Sequence, residues 1–275
     1  QALPDVLVEI GDITTRTTKN GDYILEGVTP ADDLLVKFSS EGTTETYRQI
    51  DLHGWETATA NAVLMDVDHT QVISAVDGGT VTNGEVDIFF PERAFGEYEG
   101  EVTITFTYFD PYEDNLLATP GDLSGLALAD NNDAKSGTEP ASLVSYGMLN
   151  VQMSDQNGDD IQLVEGASAA VTMPITNGEL ADTYHLSDGS EAPTWHFDTQ
   201  RGTWVETGVG IVSEDEDGVL NFTFTADEFS WWNCDQGYVP SCAFGRITDI
   251  IKFPVRSAEV VCQGAQSTSI VTTDE

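Results

Sequence analysis

Alternation of apolar and polar positions with a period of two runs along most of this chain, and it predicts strands throughout. Val6, Val8 and Ile10 share one face, and Leu34, Val36 and Phe38 alternate with Leu35 and Lys37. Val86, Ile88 and Phe90 form a third run, stopped by Pro91. Val102, Ile104, Phe106 and Tyr108 alternate with Thr103, Thr105 and Thr107, which predicts a half-buried strand and a sheet with one wet face. Leu149, Val151 and Met153, then Val171, Met173 and Ile175, then Leu220, Phe222 and Phe224 continue the pattern. Asn20-Gly21, Asn83-Gly84 and Asn177-Gly178 supply tight turns between runs. The expected fold is all-β, with tandem antiparallel β-sandwich domains of Ig-like or transthyretin-like type. Residues 110–147, with Pro111, Pro120, Gly121, Asn131, Asn132 and Pro140, read as a long irregular connection holding one short helical turn.

The runs divide into a sandwich over 1–66 that lacks its first strand, a second over 67–165 and a meander over 166–244. A further stretch, 245–275, begins another unit. Four of the five tryptophans, Trp195, Trp204, Trp231 and Trp232, fall in the meander, and they predict an aromatic core and a closing edge. In a regular strand Trp231 and Trp232 point to opposite faces, so at most one lies in that core. The other is exposed or covered by a neighbouring domain. An exposed ring of this pair would stack on a sugar, which makes Trp231 and Trp232 the candidate glycan contacts.

Charge narrows the partners. With 48 Asp and Glu against 10 Lys and Arg, the net charge is −38. A surface of that sign repels phosphate, so nucleic acid and anionic membrane surfaces are not expected partners. No apolar run reaches the length of a membrane span, so membrane insertion is not expected either. Acidity of this kind suits solubility in saline surroundings outside the cell, and calcium is the natural cation. Asp155, Asn157, Asp159 and Asp160 present oxygen donors around Gly158, as a hard cation requires, although the favoured reading is an acid-decorated hairpin turn. Asp66 with Asp68, Asp130 to Asp133 and Glu214 to Asp217 are further acidic clusters. No other cofactor is expected. Neither a signal peptide nor a natural terminus is visible at Gln1, and the chain reads as cut at both ends.

The three cysteines are Cys234, Cys242 and Cys262. The turn-rich segment between the first two suits a Cys234–Cys242 disulfide, leaving Cys262 unpaired or as an alternative partner. Catalytic residues are not expected: His53, His69, His185 and His196 are scattered, no Gly-x-Ser-x-Gly elbow is present, and His196 reads as a strand-face residue.

The order Pro4 to Gly11, Thr17 to Tyr23 and Leu25 to Val28 resembles the carboxypeptidase regulatory-like domain, a transthyretin-like sandwich, over about residues 3–52. Gly78 to Pro91 is similar to the start of ZU5-type β domains. Tyr146 to Val151, Trp195 to Asp198, Gly202 to Trp204 and Phe229 to Asp235 together resemble a β module of bacterial surface proteins and cartilage intermediate layer proteins, where it follows a regulatory-like domain. The resemblance implies a spacer-type extracellular protein.

Pro254 to Gly264 followed by Ile270 to Thr273 repeats Pro4 to Gly11 followed by Arg16 to Thr18, with Gly11 on Gly264 and Thr17-Thr18 on Thr272-Thr273. The chain thus ends as it begins. The expected function is a non-enzymatic structural repeat of an extracellular or cell-surface stalk, matrix or filament, with copies of itself as partners. Those copies join in tandem or by strand complementation through Ile247, Ile250, Ile251, Phe253, Val260 and Val261. The alternative is an adhesin or carbohydrate-binding segment that uses calcium or an exposed tryptophan.

Overall fold

The computed structural model describes residues 2–111, 114, 116–128, 138–176, 178–239, 246–250, 252–256, 258–263 and 268–272. It is built of antiparallel β-sheets with one parallel pairing, in two compact units, Gln1–Tyr238 and Val239–Glu275. The all-β sandwich expectation is met.

In the first unit, β1 (Leu7–Ile10), β2 (Ile13–Arg16), β3 (Ala31–Ser39) and β4 (Thr46–Leu52) form a four-stranded sheet in the order β2-β1-β3-β4. The alternation sends Val6, Val8, Val36 and Phe38 into a small core, closed by Ala60 and the edge of the Tyr23 ring on Phe38. Tyr23 itself lies in an irregular segment rather than a strand.

The other strands of this unit make one large sheet. They are β5 (His69–Ser74), β6 (Gly79–Thr82), β7 (Asp87–Phe90), β8 (Glu101–Phe109) and β9 (Ser124–Ala127). β10 (Glu139–Ser154), β11 (Ala169–Pro174), β12 (Glu191–Asp198), β13 (Thr203–Glu214), β14 (Leu220–Ala226) and β15 (Trp231–Tyr238) follow. The order is β5-β8-β10-β15-β12-β13-β14-β11-β7-β6, with β9 bound to β10 and β13. The two ends meet: Gln71 on β5 hydrogen-bonds the backbone of Thr80 and Thr82 on β6, and Ser74 bridges Gly78. Curling the sheet onto itself brings its two edge strands side by side and encloses a core of Ile88, Phe90, Ile104, Phe106, Val151, Val171, Phe222 and Trp232.

Two expectations are corrected here. The boundary at 165/166 does not divide two domains, because β11 lies between β7 and β14 and all three feed one core. A strand run shows which residues alternate but not which strand is its neighbour, so interleaved pairing is invisible locally. The expected irregular connection 110–147 holds the 3₁₀ turn Leu116–Ala118, but also β9 and the first half of β10. β9 runs parallel to β13, with Trp204 opposite Gly125. Gly125 is required there, since a Cβ would come within 3.0 Å of Trp204 and Trp195. A short helix, α1 (Gly178–Thr183), begins at the Gly178 of the expected Asn177-Gly178 turn and tucks Ala181 into the large core.

β15 is buried on both faces. Trp232 and Cys234 enter the large core, while Trp231 enters a second core with Tyr47, Phe109, Met148, Trp195, Phe197 and Trp204. The four-stranded sheet covers that second face through Tyr47 and Leu35. Arg48 fastens its β4 edge, donating to the carbonyls of Asn61, Leu117 and Thr119, while Gly121 N–H donates to the Tyr47 carbonyl at 3.1 Å.

The second unit contains a hairpin of β16 (Glu259–Gln263) and β17 (Thr268–Thr272). Under the alignment that places Gly11 on Gly264, its pairs are those of the β1–β2 hairpin. Leu7↔Arg16, Val8↔Thr15, Glu9↔Thr14 and Ile10↔Ile13 become Val260↔Val271, Val261↔Ile270, Cys262↔Ser269 and Gln263↔Thr268.

Candidate functional site

The tryptophan-rich strands lead to a cluster at the start of β15. Ser230 Oγ lies 2.8 Å from His196 Nε2, and His196 Nδ1 lies 3.2 Å from Glu228 Oε1. β12 places His196 beside the Trp232 ring, with centroids 4.9 Å apart. Ser230 Oγ is also 3.1 Å from the Phe197 carbonyl, and the Ser230 backbone carbonyl accepts from Val151 N–H at 2.8 Å and from the Asn150 side chain at 3.3 Å. Burial is the dominant influence on His196, pulling its pKa down to about 4 against the opposing charges of Asp227 and Asp198. The ring is therefore neutral at pH 7. Burial, with the same two neighbours, pushes the Glu228 carboxyl up.

Two grooves flank the cluster. One, of about 860 Å³, runs between the four-stranded sheet and the large sheet and is lined by Lys37, Tyr47, Met153, Phe229 and Ser230 among others. The second, of about 660 Å³, is bounded by His196, Thr207, Glu228 and Trp232 among others. Ser230 thus lines one groove, and its histidine and glutamate line the other.

Sequence reasoning read His196 as a strand-face residue and missed this cluster, because His196 and Ser230 are 34 positions apart. The available signal was Glu228 two residues before Ser230, at the start of a strand.

Deeper in β15, Asp235 is fully buried. Asn233 Nδ2 donates to its Oδ2 at 2.5 Å, Asn233 Oδ1 accepts from Ser145 Oγ at 2.6 Å, and Asp235 Oδ1 has no partner. Burial pushes its carboxyl well above the ordinary value of 3.8, and the nearby Ser145 hydroxyl opposes this only in part.

The tryptophan candidates for glycan contact are interior. Trp195, Trp204 and Trp231 are 0% exposed and Trp232 1%, and every indole N–H is used. The acceptors are the carbonyls of Asp235, Pro120, Glu45 and Glu228 respectively. The fifth tryptophan, Trp55, is fully exposed, on a left-handed backbone at φ 70°.

Cys234 is a free, buried cysteine whose thiol burial pushes up strongly, with the Asp235 charge adding to the effect. Cys242, its expected disulfide partner, lies outside the described residues, as does the side chain of Cys262.

The acidic turn is built as a hairpin connector. Asp155 Oδ1 accepts the N–H groups of Asn157 at 2.7 Å and Asp159 at 3.0 Å, while Gly158 takes φ +84°. Asp215 does the same with Asp217 and Val219, both at 2.9 Å, with Gly218 at φ +82°. These are turns closed by an Asp side chain with glycine in the left-handed position. For Asp155 the largest single influence, desolvation, would raise the pKa, but the hydrogen bonds from Asp159, Asn157 and Gly158 together outweigh it and hold the carboxyl low. Among the described residues no three His, Cys, Asp or Glu side chains are grouped to hold a metal ion, and Asp130 to Asp133 lie outside them. With the Asp155 carboxylate already committed to the backbone, thermal unfolding in calcium and in chelator is expected to give one midpoint. A higher midpoint in calcium would restore the cation reading.

In the second unit Ile250 and Phe253 are strongly exposed and Ile247 less so, and Val260 is half-buried. Asp249 repeats the turn closure, its side chain accepting Phe253 N–H at 2.9 Å. Ile251 and the Val261 side chain lie outside the described set. Among the described residues no helix is long and apolar enough to cross a membrane.

Residues 122–235 are similar to the FAM171A1/A2/B N-terminal family. The match runs from just before β9 into β15, so it takes in the buried tryptophans, His196, Ser230 and Asp235, and leaves out the four-stranded sheet and β5 to β8. No solved structure matches the chain.

Proposed function

We propose that this chain is a non-enzymatic structural unit of an extracellular or cell-surface stalk, matrix or filament, in which copies of one pattern follow each other. The observation that carries this reading is the β16–β17 hairpin, which repeats the β1–β2 hairpin pair for pair. In the first unit that hairpin is completed by β3 on the outer edge of β1, through Leu7↔Ser39, Val8↔Phe38 and Glu9↔Lys37. Among the described residues β16–β17 is two-stranded, and a two-stranded hairpin alone is marginal in water, so in this reading it is completed in the same way, by another copy in the same chain or by a neighbouring molecule. Exposed Ile250 and Phe253, which precede the hairpin in the chain, are apolar surface available for that junction.

Mechanical use also fits the first unit. The end strands of its large sheet touch through Gln71 and Ser74, and the tryptophans lock two cores to a shared strand. A net charge of −38 over the whole chain keeps it soluble and disfavours non-specific association of copies.

A tandem chain in which Phe253 of one copy is joined directly to Pro4 of the next tests the reading. Two copies are expected to fold with the single-copy melting midpoint, and small-angle scattering should show an elongated particle about twice as long. Aggregation, or a lowered midpoint at unchanged length, would sink it.

A further inference from the structure

The protonation pattern of the cluster at Ser230 follows from its geometry. A neutral imidazole carries one N–H. Placed on Nδ1, it gives the Glu228 carboxylate a donor and leaves Nε2 to accept the Ser230 O–H; placed on Nε2, it sets a bare ring nitrogen 3.2 Å from a carboxylate. Electrostatics selects the first tautomer. In it the serine proton points at a base whose orientation a carboxylate fixes, which is the arrangement that activates a hydroxyl as a nucleophile. The Phe197 carbonyl at 3.1 Å is the alternative acceptor for the same proton, and it gives the hydroxyl a second resting position.

Ser230 is nearly buried yet borders a groove. Ser230 keeps 9% exposure and lies on the wall of the groove under the four-stranded sheet, where Tyr47, Met153 and Phe229 offer apolar surface and Lys37 a cation held by Glu45 at 2.6 Å. A structural hydrogen-bond chain needs neither a groove at its serine end nor a carboxylate at its far end.

We propose that Ser230 is a nucleophilic, acyl-accepting serine, with His196 as its base and Glu228 as the residue that orients the base, and that the groove admits a carboxylic ester to it. In the acylation step Ser230 Oγ forms a bond to the ester carbonyl carbon and its proton passes to His196 Nε2. The ester C–O bond then breaks, and the proton returns to the leaving alkoxide, giving an alcohol and a serine ester. No oxidant, reductant or metal enters. For a structural protein the consequence is a covalent attachment point on an otherwise inert module, which goes beyond the mechanical role and does not depend on it.

The test is intact-mass spectrometry of the whole chain with p-nitrophenyl acetate at pH 8, with the acetyl group located by peptide mapping. Release of p-nitrophenolate is expected to match a single acetyl on Ser230, absent in Ser230→Ala. Glu228 is 63% exposed at its side chain, so Glu228→Gln should fold normally. The rate of that variant is expected to fall about 100-fold, within the usual range for disabling an assisted base. Acetylation confined to lysines would overturn the proposal. So would acetylation of Ser230 at the same rate in wild type and Glu228→Gln.

Discussion

Replacing Asp235 with asparagine is expected to raise the unfolding midpoint at pH 8 and to leave it nearly unchanged near pH 3. Asp235 is 0% exposed, and one of its carboxyl oxygens has no partner. The folded state therefore favours the neutral acid, with its pKa well above 3.8, whereas the unfolded chain ionises at the ordinary value. Because the folded pKa is raised, the contribution of this group to stability is fully present below about pH 3.8 and is lost as pH rises through the folded pKa. At pH 8 the fold carries either an unpaired buried charge or the cost of holding the proton, a penalty of several kcal/mol when unrelieved. Asparagine keeps an acceptor for Asn233 Nδ2 and carries no charge. Denaturant unfolding of both proteins from pH 3 to pH 8 checks this; curves that stay parallel would show that the carboxyl is satisfied in solution.

Trp231→Ala is expected to be the most damaging of the tryptophan substitutions for the union of the two sheets. Its indole fills the second core against Tyr47, Trp195 and Trp204, and its N–H donates to the Glu45 carbonyl at 2.8 Å. Truncation leaves a cavity of indole size and an unpaired carbonyl, a loss of about 3 to 5 kcal/mol. The damage should be uneven. The large core holds Trp232 rather than Trp231, and the small core of Val8, Val36 and Phe38 contains neither. Hydrogen exchange is therefore expected to quicken first in β3 and β4 while β8 and β14 stay protected. Uniform loss of protection would mean that the three cores fold as one.

Strand content was legible in the sequence because it depends on neighbours two residues apart. The alternations at Val102 to Tyr108 and at Leu220 to Phe224 correspond to β8 and β14. Adjacency of Trp231 and Trp232 required them to face opposite ways, and they occupy different cores, the second covered by the four-stranded sheet. What could not be read was pairing partners across long separations. β9 looked like loop because four residues, Ser124 to Ala127, carry too little pattern, and its place is fixed by Trp204 closing over Gly125. The division at 165/166 failed for a related reason: turn signals mark where a strand stops, not which sheet it joins.

The candidate site divides in the same way. Sequence alone determined the all-β class, the acidic surface and the internal repeat, since each follows from local periodicity, composition or self-similarity. Only the tertiary structure decided that the tryptophans are interior, that Trp55 is the exposed one, and that His196, Ser230 and Glu228 meet. Those outcomes depend on which strands become neighbours when a long sheet curls closed, a choice made by the packing of the whole core.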